Sequence, residues 1–236
     1  MQVLSTYPIS RRWPVKNPDL LQLYSSPTSN GVKVSIMLEE IGLRYEAHAI
    51  DLAGLETWTP PFLSLNPNGK IPAIIDPNGP EGRPIALFES GAILIYLAEK
   101  SGKLLPARPT ARYETLQWLF LQVGGVGPTF GQLAYYHKFA GRELEDKRPF
   151  ERYRAETQRL LGVLEGRLEG REWIMGDELT IADISLIGWI RNLTAKLDAG
   201  PLVHYEDLKN VPAWVERCLA RPAVQRGLNI PAKSAA

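Results

Sequence analysis

The chain has 236 residues, of which 44% are hydrophobic and 22% are charged, as in an ordinary globular protein. Its 27 basic and 26 acidic residues leave a formal net charge of +1, which argues against nucleic acid or an anionic membrane as the main partner. The apolar runs are too short to span a membrane, and the single cysteine, Cys218, excludes an intrachain disulfide or a cysteine metal cluster.

Residues 1–19 contain Pro, Ser and Arg without a regular period and predict an extended N-terminal arm. Tyr7 and Trp13 indicate that this arm lies against a surface of the protein. Arg11 and Arg12 could begin a twin-arginine signal, but the hydrophobic stretch that such a signal needs does not follow. We therefore expect a cytoplasmic protein.

Residues 20–101 alternate between strand and helix patterns. The strands are predicted at 21–24, 45–50, 71–76 and 85–88, and the two main helices at 32–41 and 89–100. A strand–helix–strand unit needs a parallel pair, and the later hairpin adds antiparallel strands. This is the order of a thioredoxin-like α/β domain.

After a proline-bracketed linker at 101–109 the strand character ends. Long helical patterns follow at 110–139, 150–169, 181–197 and 211–227. The sequence therefore predicts a second, all-helical domain over residues 109–229.

Thr28, Ser29 and Asn30 precede the first long helix. Such side chains commonly cap the free N–H groups of a helix start. The same place can bind an anion, including a thiolate from a ligand. The helix dipole and one hydrogen bond to a charged group together supply the roughly 2.7 kcal/mol that lowers a thiol pKa by about two units.

Two further pairs, Ile71-Pro72 and Glu89-Ser90, each allow a structural and a functional interpretation. Pro72 can simply open a strand where no N–H is needed, or it can be a cis-proline that turns the backbone of Ile71 toward a peptide-like ligand. Glu89 and Ser90 can cap the next helix. They can instead recognise the amino-acid end of a ligand, with Glu89 accepting from an ammonium and Ser90 donating to a carboxylate.

In this order the motifs resemble those of the glutathione S-transferases, most closely the bacterial Nu class. The resemblance rests on residues 24–34, 66–73 and 88–93, and residues 116–128 and 180–183 support it in the second half of the chain. It implies a thioredoxin-like domain followed by an all-helical domain, and a homodimer.

The resemblance also implies roles for individual residues, with one or two glutathione molecules per site and no metal. Glutathione would be held by Glu89 and Ser90 at its γ-glutamyl end, and by the backbone of Ile71 before cis-Pro72 at its cysteinyl unit. Thr28 and Asn30 would face its sulfur, and Lys70 would reach its glycine carboxylate. Arg152 from the helical domain would also contact glutathione, or it is a structural arginine on a solvated helix face. Ser29 stands where Nu members usually carry proline, and it matches the serine of theta-like enzymes. Either Thr28 or Ser29 can therefore donate to the sulfur, with Asn30 assisting.

The activity that the resemblance implies is glutathione-dependent reduction of a small disulfide. One alternative is conjugation of glutathione to small electrophiles, or reduction of organic peroxides. A second alternative, from another functional class, is a non-catalytic protein-interaction module.

Overall fold

The computed structural model describes residues 4–232. The chain divides into two compact units: the described residues up to Ser101 together with those from Pro222 onward, and Gly102–Arg221. Within the described part of the chain, no helix is both long enough and apolar enough to cross a membrane.

The first unit contains a four-stranded sheet. Its strands are β1 (Leu21–Ser25), β2 (Tyr45–Ala49), β3 (Ala73–Asp76) and β4 (Ile85–Phe88), in the order β2-β1-β3-β4. β1 pairs with β2 in parallel, whereas β3 is antiparallel to both β1 and β4. The predicted thioredoxin-like fold is confirmed. β3 begins two residues later than predicted, because Ile71 and Pro72 lie outside the ladder.

Five α-helices accompany the sheet in the described part of this unit: α1 (Ile9–Arg12), α2 (Gly31–Ile41), α3 (Pro60–Leu63), α4 (Ser90–Ser101) and α10 (Pro222–Gly227). α2 ends at Gly42, whose left-handed φ of 72° suits glycine. α10 packs on α2, where the Ser35 hydroxyl donates to the carbonyl of Gly227 at 2.6 Å. A Cβ atom on Gly227 would lie 2.6 Å from the backbone of Ile36, so this close approach requires glycine.

The N-terminal segment is not the extended arm that we predicted. It contains the short helix α1, and Ile9 within that helix is fully buried. Trp13 makes edge-on contacts with the rings of Tyr24 and Phe62, at centroid distances of 6.3 and 6.5 Å. The expected packing against a surface is therefore present, and burial of Ile9 favours a helical turn over an extended chain. Residues 1–3 of the predicted arm lie outside the described residues.

The second unit is helical, with helices α5 (Pro109–Leu121), α6 (Gly127–Lys138), α7 (Arg148–Leu168), α8 (Ile181–Ala195) and α9 (Asn210–Leu219). A π-helical turn at Gln122–Val126 joins α5 to α6. Thr180 and Asp183 form the expected capping box at the start of α8. The prediction of one continuous helix at 211–227 is wrong. The helix is interrupted at Ala220 and Arg221, and a separate helix, α10, begins at Pro222.

The buried carboxylate of Asp183 organises the core of the second unit. It accepts hydrogen bonds from the backbone N–H groups of Ile174 and Thr180 at 2.9 Å, from the Thr180 hydroxyl at 3.2 Å and from Trp214 Nε1 at 2.9 Å. A buried charge needs such partners. Asp183 thus joins three separate segments of this unit.

Candidate functional site

The strand register brings three of the predicted motifs to one edge of the sheet. Ala73 pairs with Tyr24 on one side and with Phe88 on the other. The loop that follows β1, the two residues before β3 and the start of α4 all extend from this row. Residues 28–30, 71–72 and 89–90 therefore converge, although they are far apart in the sequence.

Thr28 acts as the cap of α2. Its side-chain oxygen accepts from the N–H of Gly31 at 3.2 Å, and its carbonyl accepts from the N–H of Val32 at 3.0 Å. Because the Thr28 oxygen is an acceptor in this bond, its hydroxyl proton can point to another acceptor. Capping and donation to a ligand, which we had treated as alternatives, are therefore compatible at Thr28.

The loop before α2 is tightly folded. A Cβ atom on Gly31 would lie 1.9 Å from the carbonyl oxygen of Ser26, so only glycine fits there. Ser29 and Asn30 are half-buried, and the Asn30 side chain makes no capping bond to the helix. Both side chains thus lie beside the positive end of the helix dipole, next to Thr28.

The peptide bond between Ile71 and Pro72 is cis, as the resemblance implies. Within residues 4–232, neither the N–H nor the C=O of Ile71 makes a hydrogen bond, and the residue is only half-buried. An unpaired N–H and C=O of this kind can bind a peptide-like ligand, which then pairs with them as an added strand does.

Asn66 holds the backbone just before Ile71, a role that the sequence analysis missed. Asn66 is buried; its Nδ2 donates to the carbonyl of Lys70 at 2.6 Å, and its Oδ1 accepts from the N–H of Asn68 at 2.9 Å. The Lys70 side chain itself is exposed. A buried Asn within an Asn-Pro-Asn-Gly turn is the sequence signal that could have identified this anchor.

Glu89 and Ser90 begin α4. Glu89 is exposed and has a φ of 69°, a left-handed conformation that costs a non-glycine residue energy. Its carbonyl accepts the first hydrogen bond of the helix, from the N–H of Ile93 at 3.0 Å. Glu89 is therefore the N-cap residue of α4, and its carboxylate remains exposed. Ser90 is 7% exposed.

Lys33 is the second residue that the sequence analysis missed. It lies in the second position after Gly31 in α2 and is only 1% exposed. Its Nζ donates to the Ser90 hydroxyl oxygen at 3.2 Å. Burial lowers the pKa of Lys33 to about 7, and the nearby charge of Glu89 partly opposes this effect. The signal was a lysine between two valines in an otherwise apolar helical turn.

Arg152 belongs to the second unit, where it lies exposed on α7. It lines a cavity of about 450 Å³ together with Tyr136, Asp146, Arg148, Pro149 and Tyr153. Its part in ligand binding stays a prediction. Across the described residues, no cluster of three or more His, Cys, Asp or Glu side chains could hold a metal ion.

A thioredoxin-like sheet with a cis-proline before β3, followed by a helical unit, defines the class of protein. Residues 26–100 match the family model of the glutathione S-transferase N-terminal domain, and residues 126–222 match that of the C-terminal domain. The chain belongs to the glutathione S-transferase family.

Among its curated relatives is the disulfide-bond oxidoreductase YfcG of Escherichia coli (strain K12), which is 43% identical over 89% of this chain and 94% of its own length. The disulfide-bond oxidoreductase YghU of the same organism is 39% identical over 88% of this chain and 73% of its own length.

A solved glutathione transferase from Burkholderia graminis, which holds two glutathione molecules per subunit, is 59% identical, with a TM-score of 0.97 over 99% of this chain and 97% of its own. One from Pseudomonas putida, with one glutathione disulfide per subunit, is 57% identical, with a TM-score of 0.96 over 98% of this chain and 100% of its own.

Proposed function

We propose that the chain is a glutathione-dependent disulfide-bond reductase of the Nu-class type. The observation that carries this proposal is the unpaired backbone of Ile71, which lies between the Thr28 hydroxyl and the Glu89-Ser90 pair on one sheet edge. This row first offers a hydroxyl donor for a sulfur and then an unpaired peptide backbone. For the amino-acid end of a ligand it offers a carboxylate acceptor beside a hydroxyl donor. Relatives named as disulfide-bond oxidoreductases support the reaction type.

In the proposed complex, Glu89 accepts from the ammonium of the γ-glutamyl unit and Ser90 donates to its carboxylate. The N–H and C=O of Ile71 pair with the cysteinyl unit. Thr28, with Ser29 and Asn30 beside it, stabilises the sulfur as a thiolate at the N-terminus of α2. Lys70 reaches the glycine carboxylate, and Arg152 contributes from the second unit.

The residues around the sulfur have one chemical task, which is to increase the thiolate fraction at neutral pH. A free thiol has a pKa of about 8.5, so only a few per cent is ionised near pH 7. One charge-assisted hydrogen bond supplies about 1.5–3 kcal/mol and the dipole about 0.3–2 kcal/mol. Their sum lowers the thiol pKa by about two units, since one unit corresponds to about 1.4 kcal/mol.

The electrons for disulfide reduction come from glutathione in this scheme. One substrate disulfide is reduced to two thiols, and two glutathione thiols are oxidised to one glutathione disulfide. The lone cysteine of the chain, Cys218, is buried in α9, which makes it a poor reactant. Relatives solved with two glutathione molecules or with glutathione disulfide are consistent with this stoichiometry.

The proposal includes a homodimer, as the family resemblance implies, and a cytoplasmic location, as expected from the sequence around Arg11 and Arg12. The expected assembly is checked by the mass of the purified protein in solution, measured by light scattering during gel filtration. A monomer would remove the dimer from the proposal without affecting the chemistry.

The test of function is a paired assay on the purified protein with glutathione as the thiol. One reaction measures reduction of a small model disulfide, and the other measures conjugation to a chlorinated nitroaromatic. We expect strong reduction and weak conjugation. Strong conjugation without reduction would assign the chain to the ordinary transferases, and a lack of glutathione binding at millimolar concentration would favour the non-catalytic alternative.

A further inference from the structure

A buried lysine is costly, because its ammonium loses hydration, and Lys33 is only 1% exposed. Its neighbours Val32 and Val34 are also buried, and α2 packs against α4 and α10. An uncharged side chain of the same length would fill this space without the loss of hydration that an ammonium suffers. The position of its ammonium beside the proposed ligand site supplies a functional reason.

The hydrogen bond between Lys33 and Ser90 determines what Ser90 can recognise. An ammonium only donates, so Ser90 Oγ must be the acceptor in the 3.2 Å bond to Lys33 Nζ. The hydroxyl proton of Ser90 then points to a different atom, which must be an acceptor. Neutral Lys33 can instead accept that proton, and Ser90 then no longer offers it to a ligand.

The charges around Lys33 fit this role. Glu89, at the start of α4, is the carboxylate whose charge acts on Lys33. On α10, Arg226 is paired with Glu39, six residues further along α2. Burial lowers the pKa of Lys33 to about 7, so the ammonium and amine forms coexist near neutral pH.

We propose that Lys33 is a positioning residue for the α-carboxylate of the γ-glutamyl unit, and that its ammonium form makes Ser90 a hydrogen-bond donor to that carboxylate. The inference rests on the proposed function, because it assumes that the ligand is glutathione. It adds a residue that does not itself touch the ligand, and it makes ligand affinity depend on one buried proton.

The direction of the pH dependence follows from linkage. A carboxylate bound beside the ammonium raises the pKa of Lys33 above its value in the free protein. Glutathione binding therefore takes up protons at and above pH 7, where part of Lys33 is neutral in the free protein. The affinity falls as the pH rises through 7, by at most tenfold for each pH unit.

The experiment is isothermal titration calorimetry of the full chain with S-methylglutathione, whose blocked sulfur removes the thiol from the titration. The dissociation constant is measured between pH 6 and pH 8.5, in two buffers of different ionisation enthalpy that report the protons taken up. Lys33→Met and Lys33→Arg are compared with the wild type. Lys16→Met, which alters an exposed lysine of the same unit, is the matched control.

We expect the wild type and Lys16→Met to bind with proton uptake and to lose affinity about tenfold from pH 6.5 to pH 8.5. Lys33→Arg keeps its charge throughout this range, so it should bind without that uptake. Lys33→Met should bind at least tenfold more weakly at pH 6.5 and show no pH dependence from this position.

Equal pH profiles for the wild type and Lys33→Arg, or a wild type that takes up no proton, would overturn the role of Lys33 even if Lys33→Met failed to fold. A wild type that binds neither glutathione nor S-methylglutathione at any pH would instead refute the proposed function, and the inference would fall with it. The two failures are thus distinguishable in the same titrations.

Discussion

Replacement of Thr28 by valine tests the centre of the proposed site, because it removes one hydroxyl and nearly conserves the side-chain volume. Two effects are expected. Loss of the 3.2 Å bond from Gly31 N–H removes the cap of α2, which costs about 1 kcal/mol of folding stability. Loss of the bond to the thiolate costs about 1.5–3 kcal/mol, which raises the pKa of the bound thiol by about 1–2 units.

The two effects are measured separately. Thermal unfolding reports the cap, and a midpoint lowered by a few degrees is expected. The ultraviolet absorbance of the bound thiolate, followed against pH, reports the thiol pKa. The wild-type thiol, with a pKa of about 6.5, is mostly ionised at pH 7. The thiolate fraction at that pH and kcat/KM for disulfide reduction should therefore both fall by roughly 3- to 25-fold when the pKa rises by about 1–2 units.

Thr28→Ser is the matched control, since it keeps the hydroxyl and should restore most of the thiolate. Ser29→Ala and Asn30→Ala test the other two candidates. The reasoning is refuted if Thr28→Val lowers the unfolding midpoint but leaves the thiolate titration unchanged. If Ser29→Ala then shifts that titration, Ser29 is the donor and Thr28 is only the helix cap.

Four further outcomes are expected. Asn66→Ala removes both bonds that hold the turn before Ile71, and should weaken glutathione binding measured by calorimetry while lowering stability by about 1–3 kcal/mol. Asp183→Ala leaves several buried donors unpaired and should destabilise the protein by about 3–5 kcal/mol in denaturant unfolding; a change below about 1 kcal/mol would contradict the role described for it. Lys33→Met should raise the unfolding midpoint, since an apolar side chain replaces a buried ammonium. Because Lys33 has a pKa of about 7 when folded and about 10.4 when unfolded, wild-type stability rises with pH between these values, so the advantage of Lys33→Met should be largest at or below pH 7 and shrink toward pH 10. Cys218→Ala should keep full disulfide reductase activity, and a large loss of that activity in a folded variant would refute the scheme in which two glutathione molecules supply the electrons.

Much of the first unit could be predicted from the sequence because local signals there agree with the fold. The alternation in β1, the glycine that ends α2 and the turn before β4 each point to the observed element. The capping box of Thr180 and Asp183 was equally clear, because both of its residues lie within four positions of each other.

The parts that were missed depend on tertiary packing. A lysine in a helix ordinarily points to solvent, and it is the tertiary packing around α2 that buries Lys33. The anchoring role of Asn66 depends on a turn that returns to Lys70, and the left-handed backbone of Glu89 carries no residue signature. The division of the predicted last helix into α9 and α10 differs from these cases, because Pro222 is itself a sequence signal for a helix boundary.

The position of α10 has a consequence for how the protein is made. The helix that covers α2 and receives the Ser35 hydroxyl bond is separated from it by the whole of the second unit along the chain. During synthesis, the sheet and α2 therefore emerge long before the segment that completes their packing. The unit encoded first is finished last, so the nascent thioredoxin-like half has an apolar helix face exposed while the helical unit is already able to fold.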